Sequence, residues 1–333
     1  MDIADVRFFS DHGYFAYPMI LQIEVTNACP LKCPQCYKEI ETSYLNYELF
    51  CNIVDEAKRI GVTFVNLNGG EPFCHKDIYK MIDYLCHKNM QIGIVTSGIN
   101  VDLSKLVTIR NIEQLRLLIS LNGSTQEINS QSRDGYQFAI GLLAKLRKHS
   151  VKLDYGINWV ARHDNIDDLF EIKKLAKYYE CSHINIVANK TSNIGIVSGS
   201  LARMDYDRLK QIILEDVEYY NIQQCYGVLN SYVFPNRTGR LYGCQAGICL
   251  CCVDVHGKYM PCTHIIKKEQ FNSIIDYWKN SEILGQLRFL QYNSETKCGM
   301  CRKKGSCRFC HAMSFKTAND LSLDYQDCCL FEE

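Results

Sequence analysis

The sequence lacks an excess of charge of either sign, because 37 lysine and arginine residues balance 37 aspartate and glutamate residues. This balance gives no electrostatic reason to expect binding to nucleic acid or to an anionic membrane surface. No apolar run approaches the roughly 18–20 residues that cross a bilayer. Residues 1–10 also lack the basic flank and apolar run of a signal peptide. We therefore expect a soluble cytoplasmic protein without nucleic-acid or membrane partners.

Cysteine, in contrast, is abundant, with 19 residues in the chain. Secreted disulfide scaffolds reach such densities, but they are short chains with export signals, and an odd count argues against complete pairing. The cysteines are also unevenly placed, since nine lie from Cys244 to Cys310 and two more are Cys328 and Cys329. Thiolates at short spacings in a reducing compartment usually bind metal.

The first two thirds of the chain alternate strand-like apolar runs with amphipathic helical stretches, without repeats or low-complexity linkers. The predicted strands are Ile20–Thr26, Thr63–Asn68, Ile92–Thr96, Leu115–Leu121, Leu153–Val160 and His183–Val187. The predicted helices include Asn46–Ile60, Asp77–Asn89, Tyr136–His149, Ile166–Tyr179 and Ala202–Tyr220. Successive βα units predict an α/β fold with a parallel sheet and right-handed crossovers.

A compact group of three cysteines, Cys29, Cys33 and Cys36, follows the first predicted strand, with three and then two residues between them. Three thiolates on one tight loop can hold three irons of a cubane cluster and leave the fourth iron open. Loops at the carboxyl ends of parallel strands are where α/β folds place active sites. Zinc is the alternative, but it usually takes four closed ligands, commonly from paired Cys-x2-Cys knuckles.

This Cys-x3-Cys-x2-Cys loop, with Gly69-Gly70-Glu71-Pro72 after the second strand, resembles the signature of the radical SAM superfamily. The resemblance covers roughly Met19 to Val187 and implies a partial (β/α)6 TIM-like barrel. It implies that the three cysteines hold a [4Fe–4S] cluster that binds S-adenosylmethionine. It further implies cofactor contacts from Gly69, Gly70, Glu71 and Pro72 to the methionine amino group, from Thr96 at the end of the third strand, and from Ser120 and Arg133 to the ribose and methionine carboxylate. The residue types suit these contacts, since a carboxylate pairs with an ammonium and an arginine fork with a carboxylate.

The cysteine-rich C-terminal part resembles the SPASM extension of radical SAM enzymes, which binds further [4Fe–4S] clusters. By this resemblance Cys244, Cys262 and Cys310 hold a nearer auxiliary cluster, and Cys298, Cys301, Cys307 and Cys328 hold an outer one, which makes three clusters in all. We place the domain boundary near Glu215, with a radical SAM core in residues 1–215 and a small SPASM domain in residues 216–333.

Several assignments in this array stay open. The fourth ligand of the nearer cluster is one of Cys225, Cys249, Cys251 and Cys252, or that iron stays open, and Cys329 can replace Cys328. The two Cys-x2-Cys pairs of the outer set also resemble zinc knuckles. No catalytic residue is identified, although one of Cys249, Cys251 and Cys252 is a candidate hydrogen-atom donor to a substrate radical.

The resemblance implies an enzyme that cleaves S-adenosylmethionine to a 5′-deoxyadenosyl radical and abstracts hydrogen from its substrate. Relatives with a SPASM domain mostly modify peptides, so our leading hypothesis is a maturase of a ribosomally made peptide that forms an intrapeptide carbon–carbon or thioether crosslink. The alternatives are a peptide epimerase with a cysteine hydrogen donor and an anaerobic enzyme of cofactor or small-molecule biosynthesis. Thr263 stands where formylglycine maturases carry aspartate, which argues against sulfatase maturation.

The partners follow from the same resemblance. Fewer residues precede the first strand than a peptide-recognition domain needs. We therefore expect the peptide to be held by the barrel mouth and the SPASM domain, or by a separate recognition protein. A flavodoxin or a ferredoxin is the expected electron donor.

The cluster assignment predicts the iron content of anaerobically purified protein. Three cubanes correspond to roughly 12 irons in the parent and roughly 8 in a variant with Cys29, Cys33 and Cys36 replaced by alanine. Iron and labile sulfide are counted in both proteins. Roughly 8 irons in the parent and roughly 4 in the variant would indicate a single auxiliary cluster. Zinc with little iron in the parent would contradict the assignment.

Overall fold

The computed structural model describes residues 3–38, 41–149, 152–190, 201–224, 226–236, 242–265, 267–289, 297–301 and 310–314. The strands are β1 (Ile20–Thr26), β2 (Phe64–Gly69), β3 (Gln91–Thr96), β4 (Leu115–Ser120), β5 (Asp154–Ala161), β6 (Ile184–Ala188), β7 (Tyr220–Ile222), β8 (Leu250–Val253) and β9 (Tyr259–Met260). The helices are α1 (Ile3–His12), α2 (Tyr47–Ile60), α3 (Ile78–His87), α4 (Leu103–Leu106), α5 (Gln126–Ser130), α6 (Tyr136–His149), α7 (Leu169–Tyr178), α8 (Arg203–Glu215), α9 (Gly227–Val233), α10 (Ile274–Asn280), α11 (Glu282–Arg288), α12 (Lys297–Met300) and α13 (His311–Ser314).

The described strands form one nine-stranded sheet in the order β7-β6-β5-β4-β3-β2-β1-β8-β9. Neighbouring strands are parallel except β8 and β9, which pair antiparallel. The six predicted strands are confirmed as β1 to β6, each to within one residue at either end. The predicted α/β class with its parallel, partial-barrel sheet is therefore confirmed.

Both ends of the sheet come from strands that the sequence pattern did not predict. The helix predicted as Ala202–Tyr220 is wrong at its C-terminal end, because α8 ends at Glu215 and Tyr220–Ile222 forms β7 beside β6. On the other side, β8 pairs in parallel with β1, with Leu21 opposite Cys251 and Gln22 opposite Cys252. Residues after Glu215 thus extend the sheet at both edges.

The two faces of the sheet differ in polarity because side chains alternate along each strand. On the outer face, Leu21, Ile23 and Leu67 are fully buried in a hydrophobic core that includes residues of α2, α3 and α6. On the inner face, polar side chains such as Asn66 and Asn158 border a cavity. The helices therefore cover the apolar face, and the polar face is left for a ligand.

Helix α2 illustrates how local sequence sets the boundaries of these elements. The side chain of Asn46 accepts hydrogen bonds from the backbone N–H groups of Glu48 and Leu49 and so caps the helix N-terminus. Gly61 ends the helix with a left-handed φ of 99°. Between them, Phe50, Val54 and Ala57 are buried on one face. Among the described residues, no helix has both the length and the apolar character needed to cross a membrane.

The end of β2 packs directly against the backbone that follows β1. Gly69 has a φ of 150°, and a Cβ atom on it would lie 2.0 Å from the carbonyl oxygen of Thr26. A Cβ atom on Gly70 would lie 2.4 Å from the carbonyl oxygen of Ala28. The backbone N–H of Gly70 donates to the carbonyl oxygen of Thr26 at 2.7 Å, and that of Glu71 donates to the carbonyl oxygen of Ala28 at 2.9 Å. These two glycines are required because a side chain would push apart the two strand ends.

Substitution of Gly69 by alanine is expected to destabilise the fold by about 2–3 kcal/mol, through steric overlap and a disfavoured φ. The matched control is Gly141→Ala in α6, where a Cβ atom meets nothing within 4 Å. A helix interior gains about 0.5–1 kcal/mol from this change. Urea unfolding measures the free energy of unfolding of both variants. Equal unfolding midpoints would contradict the close packing at Gly69.

Candidate active site

A cavity of about 290 Å³ lies on the inner face of the sheet, toward the carboxyl ends of the parallel strands. Its lining includes the three clustered cysteines, Cys29, Cys33 and Cys36, from the loop after β1. It also includes Gly69, Gly70 and Glu71 from the end of β2, Ser120 from the end of β4, and Arg133. Residues separated by more than 100 positions in the sequence are thus brought around one space.

The three thiols border the cavity together and interact electrostatically. Burial, together with the neighbouring Glu71, Cys33 and Cys36, raises the pKa of the Cys29 thiol to about 11. The backbone N–H of Asp134 donates to Cys33 Sγ at 3.4 Å. Within the described residues, no three His, Cys, Asp or Glu side chains are placed to hold a metal ion. A cubane binds each thiolate through a different iron, so its ligands need not converge on one point, and the donor set fits such a cluster.

Glu71 is buried at the boundary between β2 and β3. Its carboxylate accepts hydrogen bonds from Thr96 Oγ1 at 2.7 Å, Ser97 N at 2.7 Å, Ser97 Oγ at 2.5 Å and Phe73 N at 3.3 Å. Burial raises the pKa of Glu71, and the bonds from Ser97 and Thr96 oppose this rise. The carboxylate therefore ties the ends of two strands together while it borders the cavity.

Two residues predicted to bind the cofactor, Pro72 and Thr96, do not line the cavity. Thr96 Oγ1 donates to Glu71 and accepts from the backbone N–H of Gly98 at 3.0 Å. Pro72 begins a short 3-10 helix whose N-terminal cap is Glu71. Thr96 thus holds the Glu71 carboxylate in place. Ser97, which was not predicted as a site residue, lines the cavity.

Unpaired polar atoms mark the part of the cavity beside β4. Ser120 Oγ, Arg133 Nε and Gln35 Oε1 are buried, and they have no hydrogen-bond partner among the described residues. Leaving such an atom unpaired costs about 1–3 kcal/mol, so the site is suited to a polar ligand. A ribose hydroxyl and a carboxylate, as in S-adenosylmethionine, are groups that a serine and an arginine can bind.

A stacked pair of rings connects the cysteine loop to the C-terminal part of the chain. Tyr37, next to Cys36, stacks on His264 with ring centroids 3.9 Å apart, and both line the cavity. Burial, together with Lys190 and Lys38, holds the pKa of His264 well below its ordinary value, so the imidazole is neutral. This contact could not be predicted from the sequence, because it joins loops more than 200 residues apart.

The cysteines proposed for the nearer auxiliary cluster lie in the same region. Cys244 is 4% exposed and interacts electrostatically with both Cys249 and Cys262, and Cys310 is 5% exposed. Cys249 Sγ donates a hydrogen bond to Gln245 Oε1 at 3.0 Å. These observations are compatible with the nearer set and do not test it.

Strand alternation separates the candidate hydrogen donors. Cys251 lies opposite Leu21 in the hydrophobic core on the outer face, whereas Cys252 lies opposite Gln22 on the inner face. Cys252 interacts with Glu24, Lys38 and Cys262. None of Cys249, Cys251 and Cys252 lines the cavity.

The outer auxiliary set is only partly covered by the structure. The backbone of Cys298 is part of α12, and Cys301 follows that helix with a half-buried side chain. Cys307 and Cys328 lie outside the described residues, as do Cys225 and Cys329. The assignment of this cluster therefore stays a prediction.

Comparison of the sequence with known proteins gives a family match for part of the chain and similar proteins over most of it. Residues 23–178 match the Radical SAM superfamily. The mycofactocin maturase MftC of Mycobacterium ulcerans is 27% identical over 339 residues, which cover 95% of this chain and 88% of the maturase. The AdoMet-dependent heme synthase of Methanosarcina barkeri is 22% identical over 344 residues, covering 94% of this chain and 97% of the synthase.

Solved structures share the fold. SuiB of Streptococcus suis bound to S-adenosylmethionine aligns with a TM-score of 0.80 at 17% identity, covering 98% of this chain and 80% of SuiB. SuiB bound to the precursor peptide SuiA aligns with a TM-score of 0.77 at 18% identity, covering 94% of this chain and 76% of SuiB. The family match contains the cysteine loop, Glu71, Ser120 and Arg133, and residues 23–178 are therefore a radical SAM domain.

Proposed function

We propose that this enzyme is a radical SAM maturase that abstracts hydrogen from a ribosomally made peptide and forms an intrapeptide carbon–carbon or thioether crosslink. The observation that carries the proposal is the cavity, where the cysteine loop meets Glu71 and the unpaired atoms of Ser120 and Arg133. Similarity to MftC over 95% of the chain, and a fold shared with SuiB in its complex with the precursor peptide SuiA, support a peptide substrate.

Each cavity residue has a separate task in this proposal. Cys29, Cys33 and Cys36 hold the [4Fe–4S] cluster, Arg133 binds the methionine carboxylate and Ser120 binds the ribose. Glu71 fixes the strand ends and presents negative charge to the methionine ammonium. When bound, such a cluster would supply the electron for the cleavage of S-adenosylmethionine and so the radical chemistry that removes hydrogen from the substrate. The stacked rings of Tyr37 and His264 close one side of the cavity and help to exclude water.

Residues 216–333 form the SPASM part in this proposal, and residues 1–215 form the radical SAM core. Cys244, Cys262 and Cys310 hold the nearer auxiliary cluster, and Cys298, Cys301, Cys307 and Cys328 hold the outer one. The burial of Cys244 and its proximity to Cys262 support the nearer set. These clusters would accept the electron that crosslinking releases. A cytoplasmic flavodoxin or ferredoxin would reduce the first cluster, and a separate protein would assist peptide recognition.

A second candidate function is the synthesis of a cofactor or another small molecule. The similarity to the AdoMet-dependent heme synthase of Methanosarcina barkeri over 94% of this chain favours it. The two functions make opposite demands on the cavity, because a tetrapyrrole carries several carboxylates whereas a peptide segment presents mainly neutral amide groups.

The substitution Arg133→Lys tests the cofactor assignment. Lysine keeps the charge but loses the planar fork and Nε, so we expect the dissociation constant of S-adenosylmethionine to rise about tenfold. Equilibrium dialysis of the reconstituted proteins measures it. The control is Arg110→Lys, an exposed arginine outside the cavity. Equal affinities in the two variants would refute the role of Arg133.

The reaction itself is tested with short peptides encoded beside the gene, incubated with reduced enzyme and S-adenosylmethionine. Crosslinking predicts 5′-deoxyadenosine together with a peptide lighter by two hydrogen atoms in mass spectrometry. Epimerisation would leave the mass unchanged in H2O and add deuterium in D2O. Cleavage of S-adenosylmethionine with no change in any peptide would count against both peptide reactions.

A further inference from the structure

Four polar residues stand in one row across neighbouring strands of the sheet. Ser120 on β4 is the register partner of Asn158 on β5, which is the partner of Asn185 on β6, which is the partner of Asn221 on β7. We call Asn158, Asn185 and Asn221 the asparagine row. Asn158 and Asn185 line the cavity, and Asn221 is exposed near the β7 edge of the sheet. The row therefore leads from solvent to the cofactor side of the cavity.

The carboxamides of the row are hydrogen-bonded head to tail. Asn221 Nδ2 donates to Asn185 Oδ1 at 2.9 Å, and Asn185 Nδ2 donates to Asn158 Oδ1 at 2.7 Å. Each such bond uses one N–H and one lone pair, and a carboxamide carries a second of each. The row ends beside Ser120, whose buried Oγ has no partner. It is thus a fixed line of neutral donors and acceptors.

The rest of the cavity has the same chemical character. Six further carboxamide side chains line it, namely Gln22, Gln35, Asn66, Asn68, Asn189 and Gln223. Among the residues that the structure describes, the cationic side chains in the lining are Lys38, Arg133 and Lys190. Lys38 forms an ion pair with Glu24, and Arg133 is assigned to the cofactor. With the two cavity-lining asparagines of the row, eight carboxamides stand beside three cations in the described lining, which is therefore better suited to neutral amides than to a ligand with several carboxylates.

A carboxamide matches a peptide group, because each has one carbonyl acceptor and N–H donors. Neighbouring strands lie about 4.8 Å apart, so the three asparagines span about 10 Å, the length of about three extended residues. Such a line can bind main-chain amides whatever the side chains are, as sheet edges do for added peptide strands.

We propose that the asparagine row binds main-chain amide groups of the substrate peptide and directs the segment to be modified from the β7 edge toward Ser120. This inference rests on the proposed peptide function and names the part of the site that recognises the peptide. It also distinguishes the two candidate functions, since the row offers no charge to a carboxylate-rich substrate.

Equilibrium dialysis with two neutral probes tests the proposal on the reconstituted holoenzyme with S-adenosylmethionine. The first probe is a radiolabelled, acetylated and amidated peptide of alternating alanine and serine. The second is the same peptide with every other amide nitrogen methylated, which removes donors but keeps the length. The variants are Asn185→Leu, in the centre of the row, and Asn221→Leu, at its exposed end, where a change is well tolerated by the fold. The control is Asn280→Leu, which removes a hydrogen-bonded carboxamide on the exposed side of α10.

We expect the unmethylated probe to bind at least tenfold tighter than the methylated one. We expect Asn185→Leu to weaken binding of the unmethylated probe about tenfold and Asn221→Leu to weaken it about threefold. Asn280→Leu should bind this probe with the affinity of the parent. The proposal is overturned if neither row variant weakens binding, if both probes bind equally, or if the parent binds neither. Tighter binding of a tetracarboxylate porphyrin, unaffected by Asn185→Leu, would also overturn it.

The failure of this proposal and the failure of the peptide function are distinguishable. An enzyme that crosslinks a peptide but shows no effect of the row variants keeps the function and loses the inference. An enzyme that modifies no peptide while it binds the porphyrin loses both. A row variant that loses affinity for S-adenosylmethionine to the same extent as for the probe would place the row in the cofactor site and contradict the inference.

Discussion

The close backbone contact between the ends of β1 and β2 is the constraint on which the active site depends. Gly69 and Gly70 lie against Thr26 and Ala28 with no room for a side chain, and two backbone hydrogen bonds close this junction. The cysteine loop leaves from Ala28, so the junction fixes where its thiols begin. Glu71 follows at once and is bound by the end of β3. One packing contact thus positions both the cluster loop and the buried carboxylate.

The division of the sheet into an apolar outer face and a polar inner face explains how a stable fold can carry a reactive cavity. Helices cover the outer face, and the inner face carries carboxamides and few charges. The chain after Glu215 completes the enclosure, because β8 pairs with β1 and the stacking of His264 on Tyr37 places a C-terminal loop against the cysteine loop. Residues from both parts of the chain therefore build the cavity.

The sequence predicted β1 to β6 to within one residue, because long apolar runs with turn residues between them are local signals. It could not predict β7, β8 and β9, which have three, four and two residues. The partner of β8 lies 230 positions earlier in the chain, as the pairing of Ile20 with Leu250 shows. The motif residues around the cavity were predicted from the resemblance of the cysteine loop and Gly69-Gly70-Glu71-Pro72 to the radical SAM signature. The asparagine row was not, because Asn185 and Asn221 look like isolated polar residues until the strand register aligns them.

The most direct test of the account is an anaerobic crystal structure of the reconstituted enzyme with S-adenosylmethionine. We predict a [4Fe–4S] cluster bound by Cys29, Cys33 and Cys36, with the methionine carboxylate at Arg133 and the ribose at Ser120. A metal ion in place of the cluster, or S-adenosylmethionine bound away from this cavity, would contradict it.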